Sequence, residues 1–150
     1  MYHVVHNIEV TVRSSADART IYRLLADGST WPGWSPIGSF ALERPGPDAL
    51  EGVGAVRVFR TGRVTSREEI VELVPERRLS YAVLSGLPLR GYRADVDLTP
   101  AAVGTEIRWR SSFTAKVPGT GWIYRRILER FITRCAEGLA AHAAAGVPDA

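Results

Sequence analysis

Between about residues 37 and 114 the sequence reads as strand after strand, with turn signals between the strands and no helical period. No other stretch limits the available folds as much. After "GSFALERPGPDAL", "GAVRVFR" turns at Thr61 and Gly62 into "RVTSREEIVELV", and Pro75 and Glu76 turn that strand into "RRLSYAVLS". "GLPLRG" then leads into "YRADVDL", and "TPAAVG" into "TEIRWRSSF". Six strands at a spacing of about 10 to 16 residues, with no helix between them, predict an antiparallel meander rather than βαβ units. The last strand sets Ile107, Trp109, Ser111 and Phe113 against Glu106, Arg108, Arg110 and Ser112, and the one before sets Tyr92, Ala94, Val96 and Leu98 against Arg93, Asp95 and Asp97. One face of the sheet is therefore covered and the other is wet.

The flanks supply the cover. A further strand, roughly residues 3 to 13, opens the chain. "SSADARTIYRLLAD" then switches to helical period, with Ser14 expected as cap, Asp17 as a capping-box acid, and Gly28 as the stop. "WPGWSP", residues 31–36, follows as a segment too broken for helix or strand. At the other end, "PGTGWIYRRILERFITRCAEGLAAHAAA" carries Tyr124, Leu128, Phe131, Cys135 and Leu139 on one stripe, widened by Ile127 and Ile132. Arg125, Arg126, Glu129, Arg130 and Arg134 decorate its other side. Such a helix is about 35 Å long, enough to cross a whole sheet. The chain is expected to be one domain over residues 1–150, with about 146–150 a frayed tail. Its class is α+β: seven antiparallel strands, a short helix with an aromatic segment after strand 1, and a long C-terminal helix. A strongly curved sheet and a straight helix touch well at only some points, so space tends to remain between them.

Composition narrows the function classes. Nineteen Lys and Arg face sixteen Asp and Glu, a net charge of +3 with the basic residues scattered among acidic ones, which argues against a nucleic-acid partner. A single cysteine, Cys135, rules out an internal disulfide and suits a reducing compartment. No secretory pattern opens the chain, and no apolar run approaches the ~20 residues a bilayer span needs, so a cytoplasmic protein without integral membrane association is expected, as monomer or homodimer.

Nucleophilic catalysis has little support: there is no G-x-S-x-G, and Cys135 lies on the apolar stripe. His3 and His6 fall on opposite faces of a strand and no ligand cluster accompanies them, so neither metal nor cofactor is expected. The polar candidates are Arg57 and the acids of "REE". Arg57 shares a strand face with Ala55 and Phe59, and a turn near Thr61–Gly62 brings Glu68 or Glu69 within a residue or two of the position opposite it. Two arrangements are open: a bidentate pair projecting into an apolar space, or a solvated cross-strand pair on the wet face worth at most about 1 kcal/mol. Tyr81, Tyr92, Trp109, Ser111, Tyr124 and Phe131 are the further inward candidates, apolar bodies of which several carry polar tips.

Four stretches in order, the capped helix leading into "WPGWSP", "GVGAVRVFRTG", "REEIVELVPERRLSYAVLSGLP" and "GTEIRWRSSF" ahead of the long helix, resemble the helix-grip fold of the START and birch-pollen-allergen superfamily. Within it the chain is similar to the polyketide cyclase/dehydrase group of SRPBCC proteins. The resemblance implies a curved sheet wrapped around the C-terminal helix, with a deep apolar cavity open near the segment after the first helix. Trp31 and Trp34 would stand at its entrance, the alternative being that both rings plug the end of the core. It also implies that Arg57 and Glu68, with Glu69 as the alternative, look into the cavity beside Phe59, Leu128 and the inward residues named above. Three functions are then open. The first is a binding or carrier protein for a hydrophobic small molecule such as a lipid, polyketide or aromatic metabolite. The second is a polyketide aromatase/cyclase or dehydratase, in which Arg57 polarises a carbonyl and Glu68 or a Tyr moves a proton. The third is a protein-interaction module with a filled cavity.

Overall fold

A computed structural model describes residues 4–145. The expected frayed tail and residue 3, at the expected start of the first strand, lie outside the described residues. Seven strands run β1 (His6–Ser14), β2 (Ser39–Arg44), β3 (Val56–Thr61), β4 (Val64–Val74), β5 (Arg78–Ser85), β6 (Leu89–Pro100) and β7 (Thr105–Ala115), and three helices are α1 (Ala18–Ala26), α2 (Trp31–Trp34) and α3 (Gly121–Ala145). The strands form one curved antiparallel sheet in the order β1-β7-β6-β5-β4-β3-β2. β2 to β7 are the expected meander. β1 instead pairs with β7, from His6 opposite Phe113 to Ser14 opposite Thr105, because the α1–α2 segment carries the chain across to the far edge.

The alternation in β6 and β7 holds in space. Ala94, Val96, Leu98, Ile107, Trp109 and Phe113 are buried on the concave face. On the convex face Arg78 and Arg110 both meet Asp97, and Arg108 meets Glu9. α3 covers the concave side along β1 and β7, with Ile132, Cys135, Leu139 and the small residues Ala136, Ala140 and Ala143 turned inward. Gly138 belongs to the same close packing: a Cβ there would overlap the Trp34 carbonyl oxygen, so a bare backbone is what lets α2 sit on α3. Only part of the expected stripe is core. Tyr124, Leu128 and Phe131 are half-buried and Ile127 is exposed, because the first half of α3 lies over the edge of the packed region. Among the described residues no helix is long and apolar enough to cross a membrane.

Local chemistry corrects three expectations. Asp17, not Ser14, caps α1: its Oδ1 accepts from the Thr20 amide at 2.8 Å, while Ser14 ends β1 and donates its hydroxyl to the Ala140 carbonyl at 2.8 Å. α1 stops one residue before Asp27, and Gly28 begins a 3-10 turn rather than ending the helix. "WPGW" is also not irregular. It forms one helical turn, with Pro32 in the first positions, where a missing N–H is least costly.

Candidate functional site

The two tryptophans of that turn are core. Trp31 is 2% exposed, and its ring lies 4.6 Å from Trp34, 4.9 Å from Phe59, 5.8 Å from Trp109 and 6.4 Å from Tyr81, measured between centroids. Each indole N–H has a partner: Trp31 donates to the Leu25 carbonyl, Trp34 to Thr30 Oγ1 and Trp109 to Tyr81 Oη. The place expected to be an entrance is thus plugged. A broad aromatic segment at the end of a curved sheet buries more apolar surface by filling the concavity than by framing it.

Arg57 belongs to this plug. It is 0% exposed, and its guanidinium carbon sits 5.1 Å from the centre of the Trp31 ring and 5.2 Å from that of Phe59. Its Nη1 donates to the Leu25 carbonyl at 3.0 Å and to Glu51 Oε1 at 3.4 Å, and the same Glu51 oxygen accepts the Gly28 amide at 2.8 Å. Arg57, Glu51 and Trp31 therefore tie the end of α1, the 3-10 turn and β3 together. Burial draws the guanidinium below its usual value, and Glu68 and Glu51 oppose that shift.

The expected Arg57–Glu68 pair is not formed. The register does place Glu68 directly opposite Arg57, and Glu69 opposite Val56. The ion pair goes to Glu51, which the loop before β3 delivers to the same guanidinium. By alternation Glu69 faces the other side of the sheet. Glu68 instead lines a pocket of about 230 Å³. Its sheet wall is Ser66 and Glu68 from β4, Tyr81 and Val83 from β5, and Tyr92 from β6. Its helix wall is Ile127, Leu128, Phe131 and Ile132. Thr61 and Val64 of the β3–β4 hairpin and Leu87 of the β5–β6 turn complete the mouth. The space exists because α3 packs along β1 and β7 and so stands off the β4–β5 side of the concavity.

Of the predicted site residues, the pocket gathers Glu68, Tyr81, Tyr92, Leu128 and Phe131. Trp31, Trp34, Arg57, Phe59, Trp109 and Ser111 are core, and Tyr124 is half-buried against it. Sequence reasoning did not place Thr61, Val64, Ser66, Val83, Leu87, Ile127 or Ile132 at the site. Ser66 was findable, being two residues from Glu68 on the same face, and Val83 stands in the same relation to Tyr81. Leu87, in an irregular turn, carries no periodic signal.

The pocket chemistry centres on one carboxyl. Glu68 Oε2 accepts from Ser66 Oγ at 3.1 Å, whereas Oε1 is buried with no partner. Burial pushes this carboxyl up to about 7, with Arg57 and the Ser66 hydrogen bond pulling the other way. Burial likewise raises both phenols, Tyr81 well above its ordinary value, so at neutral pH both remain protonated donors. The Cys135 thiol is raised by burial too, which leaves it inert. The site is thus an apolar slot with two phenols and a single carboxyl able to exchange a proton near neutrality.

The family described as "Polyketide cyclase / dehydrase and lipid transport" matches residues 5–144. The chain belongs to that family. No curated protein matches its sequence. Solved structures share its fold at low identity. Ginseng major latex-like protein 151 from Panax ginseng is 14% identical with a TM-score of 0.78, the match covering 97% of this chain and 99% of that one. A START superfamily protein from Mycobacterium smegmatis is 14% identical with a TM-score of 0.75, covering 92% and 97%. The di-domain ARO/CYC StfQ from the steffimycin biosynthetic pathway is 20% identical with a TM-score of 0.74, covering 95% of this chain and 50% of that one.

Proposed function

We propose that this family member is a binding or carrier protein for a small hydrophobic molecule held between β4–β6 and the first half of α3. The pocket carries the proposal: apolar on most of its lining, reachable from solvent, and supplied with a few convergent polar groups. Its size narrows the ligand. Cavities of about 150 Å³ take a benzene ring and drug-sized sites begin near 300 Å³, so about 230 Å³ suits one or two fused rings or a short acyl chain. A sterol or a four-ring polyketide would have to displace α3.

Native mass spectrometry of the purified protein, followed by denaturing extraction, tests this. A bound apolar molecule of one-to-two-ring size at near-stoichiometric occupancy is expected. A clean apo mass that stays unchanged on titration with naphthalene, indole and octanoate would overturn it.

One observation favours a second function, cyclase or dehydratase chemistry. Glu68 combines a partnerless oxygen with protonation near neutrality, as a general acid–base requires. In a dehydration it would take a proton from the carbon beside a carbonyl and return one to the hydroxyl on the next carbon, which leaves as water as the carbon–carbon double bond forms, while a phenol donates to the carbonyl oxygen. Arg57 has no part in this step, since it is fully buried against Trp31 and Phe59 and does not line the pocket. Glu68→Gln would abolish turnover and preserve affinity; undiminished turnover would sink the enzyme role.

A further inference from the structure

The evenly scattered charge of the sequence does not stay scattered once the chain folds. On the convex face the arginines of the strands meet carboxylates: Arg67 with Glu43 at 2.6 Å, Arg108 with Glu9 at 2.7 Å and Arg110 with Asp97 at 2.6 Å. At the end of the molecule that holds the pocket mouth, the cations are exposed and unmatched. Arg63 of the β3–β4 hairpin, Arg90, Lys116, Arg126 and Arg130 are exposed, and among the described residues none has a carboxylate within ion-pair distance. The acid of this half of α3, Glu129, pairs with Arg125 at 3.4 Å.

The same end exposes large apolar side chains. Trp122 is 60% exposed and Ile127 56%, and Ile123, Val117 and Val64 are exposed as well. Trp122 shares a surface hollow with Arg90 and Lys116, so the apolar and cationic groups are interleaved rather than segregated. Ile127 and Val64 are at once outer surface and pocket wall, which makes the patch continuous with the mouth.

We propose that this face, the outer side of the first half of α3 with the β3–β4 hairpin and the 116–120 loop, docks on an anionic lipid surface. Interleaved Trp, Ile and Arg on the outside of a helix fit the headgroup boundary, where rings and alkyl chains enter the acyl region and guanidinium groups meet phosphates. A protein interface would instead gather its apolar groups into a core inside a polar rim. A second copy of this chain would bring unmatched cations against unmatched cations. Docking points the pocket mouth at the bilayer, so an apolar ligand dissolved there enters without crossing water. The docking itself is independent of which ligand the pocket takes, or whether it takes one.

The test uses the full chain and vesicles of phosphatidylcholine alone or with phosphatidylglycerol, at low and physiological salt. Three of the four tryptophans are buried, so Trp122 is the emission reporter of this face. Sedimentation with the anionic vesicles only, a blue shift, and protection of Trp122 from acrylamide are expected, and Trp122→Phe should remove the optical change. Reversing charge with Arg126→Glu and Arg130→Glu together should weaken binding by at least roughly tenfold. Arg108→Gln on the convex face should leave it unchanged, with melting curves confirming that each variant folds. No association with anionic vesicles overturns the proposal. So does association in which Trp122 stays open to acrylamide, or binding indifferent to the Arg126 and Arg130 reversals. A dimer in vesicle-free solution that Trp122→Ala dissociates would assign the face to a second copy instead.

Discussion

The two ends of one concave surface are treated in opposite ways. Under α2, Trp31, Trp34, Phe59 and Trp109 fill the space between sheet and helix, and every indole N–H is partnered. Under the first half of α3, the same sheet leaves about 230 Å³ unfilled, with a buried carboxylate oxygen lacking any partner. Both ends hold a charged side chain that burial disfavours. At the plug, Arg57 is held by a helix-end carbonyl and a carboxylate; at the pocket, Glu68 is held by one serine. Neither group is fully satisfied, since Arg57 Nε and Nη2 are also buried without a partner; what differs is that the guanidinium is sealed against the Trp31 and Phe59 rings, while Glu68 faces an open pocket. The difference puts stability at one end and leaves the other to the binding role proposed for the pocket.

Truncating the plug should give the largest effect. Trp31→Ala removes a side chain packed among four aromatic rings and leaves a cavity behind, so a loss of about 3–5 kcal/mol in urea denaturation is expected. A loss below about 1 kcal/mol would mean that the plug is not core, and the contrast between the ends would fall.

Glu68→Gln comes next, with the opposite sign. A carboxyl held near 7 when folded, against about 4.5 unfolded, binds its proton more tightly in the folded state. The stability linked to that proton is whole below about pH 4.5 and drains away as pH rises through about 7. Glutamine does not titrate. The variant should therefore match the wild type at pH 4 and exceed it by about 2 kcal/mol at pH 8, the full shift discounted for partial exposure. A gap that does not change with pH would show that Glu68 ionises freely and that the pocket is wetter than its walls imply.

This asymmetry was only partly legible beforehand. Period-two alternation marks Ile107, Trp109 and Phe113 as inward whatever else the chain does, because a one-residue slip would expose all three. The turn near Thr61–Gly62 narrows the position opposite Arg57 to Glu68 or Glu69 without choosing between them, and the register sets Glu68 there. Register fixes which backbone positions face each other, not which carboxylate reaches a guanidinium first. Glu51 arrives from a loop with no period to read, and its second tie to the Gly28 amide keeps it there. The role of Trp31 and Trp34 turned on something similar. Pro and Gly point to irregular chain, yet Pro in the first turn is compatible with helix, and one turn is enough to swing both rings inward. The long helix was visible from its period; which half of it would stand off the sheet was not, since that depends on where the small residues Ala136, Gly138 and Ala140 permit close approach.

The smallest stability effect should come from the pocket wall, and it sharpens the contrast most. Phe131 is as aromatic as the plug residues and lies on the same helix as the core residues Ile132 and Cys135, but it is half-buried with one side on the pocket. Phe131→Ala deletes little packing, so a cost of about 1 kcal/mol or less is expected, well under that of Trp31→Ala. Its effect on binding should be larger than on stability: naphthalene loses an aromatic wall, and affinity falls severalfold while the melting temperature hardly moves. If the two truncations cost the same in denaturation, the pocket wall is core, and the pocket is a packing defect rather than a site. If Phe131→Ala weakens naphthalene binding and Trp31→Ala does so only in step with its loss of folded protein, stability and binding lie at opposite ends of the same sheet.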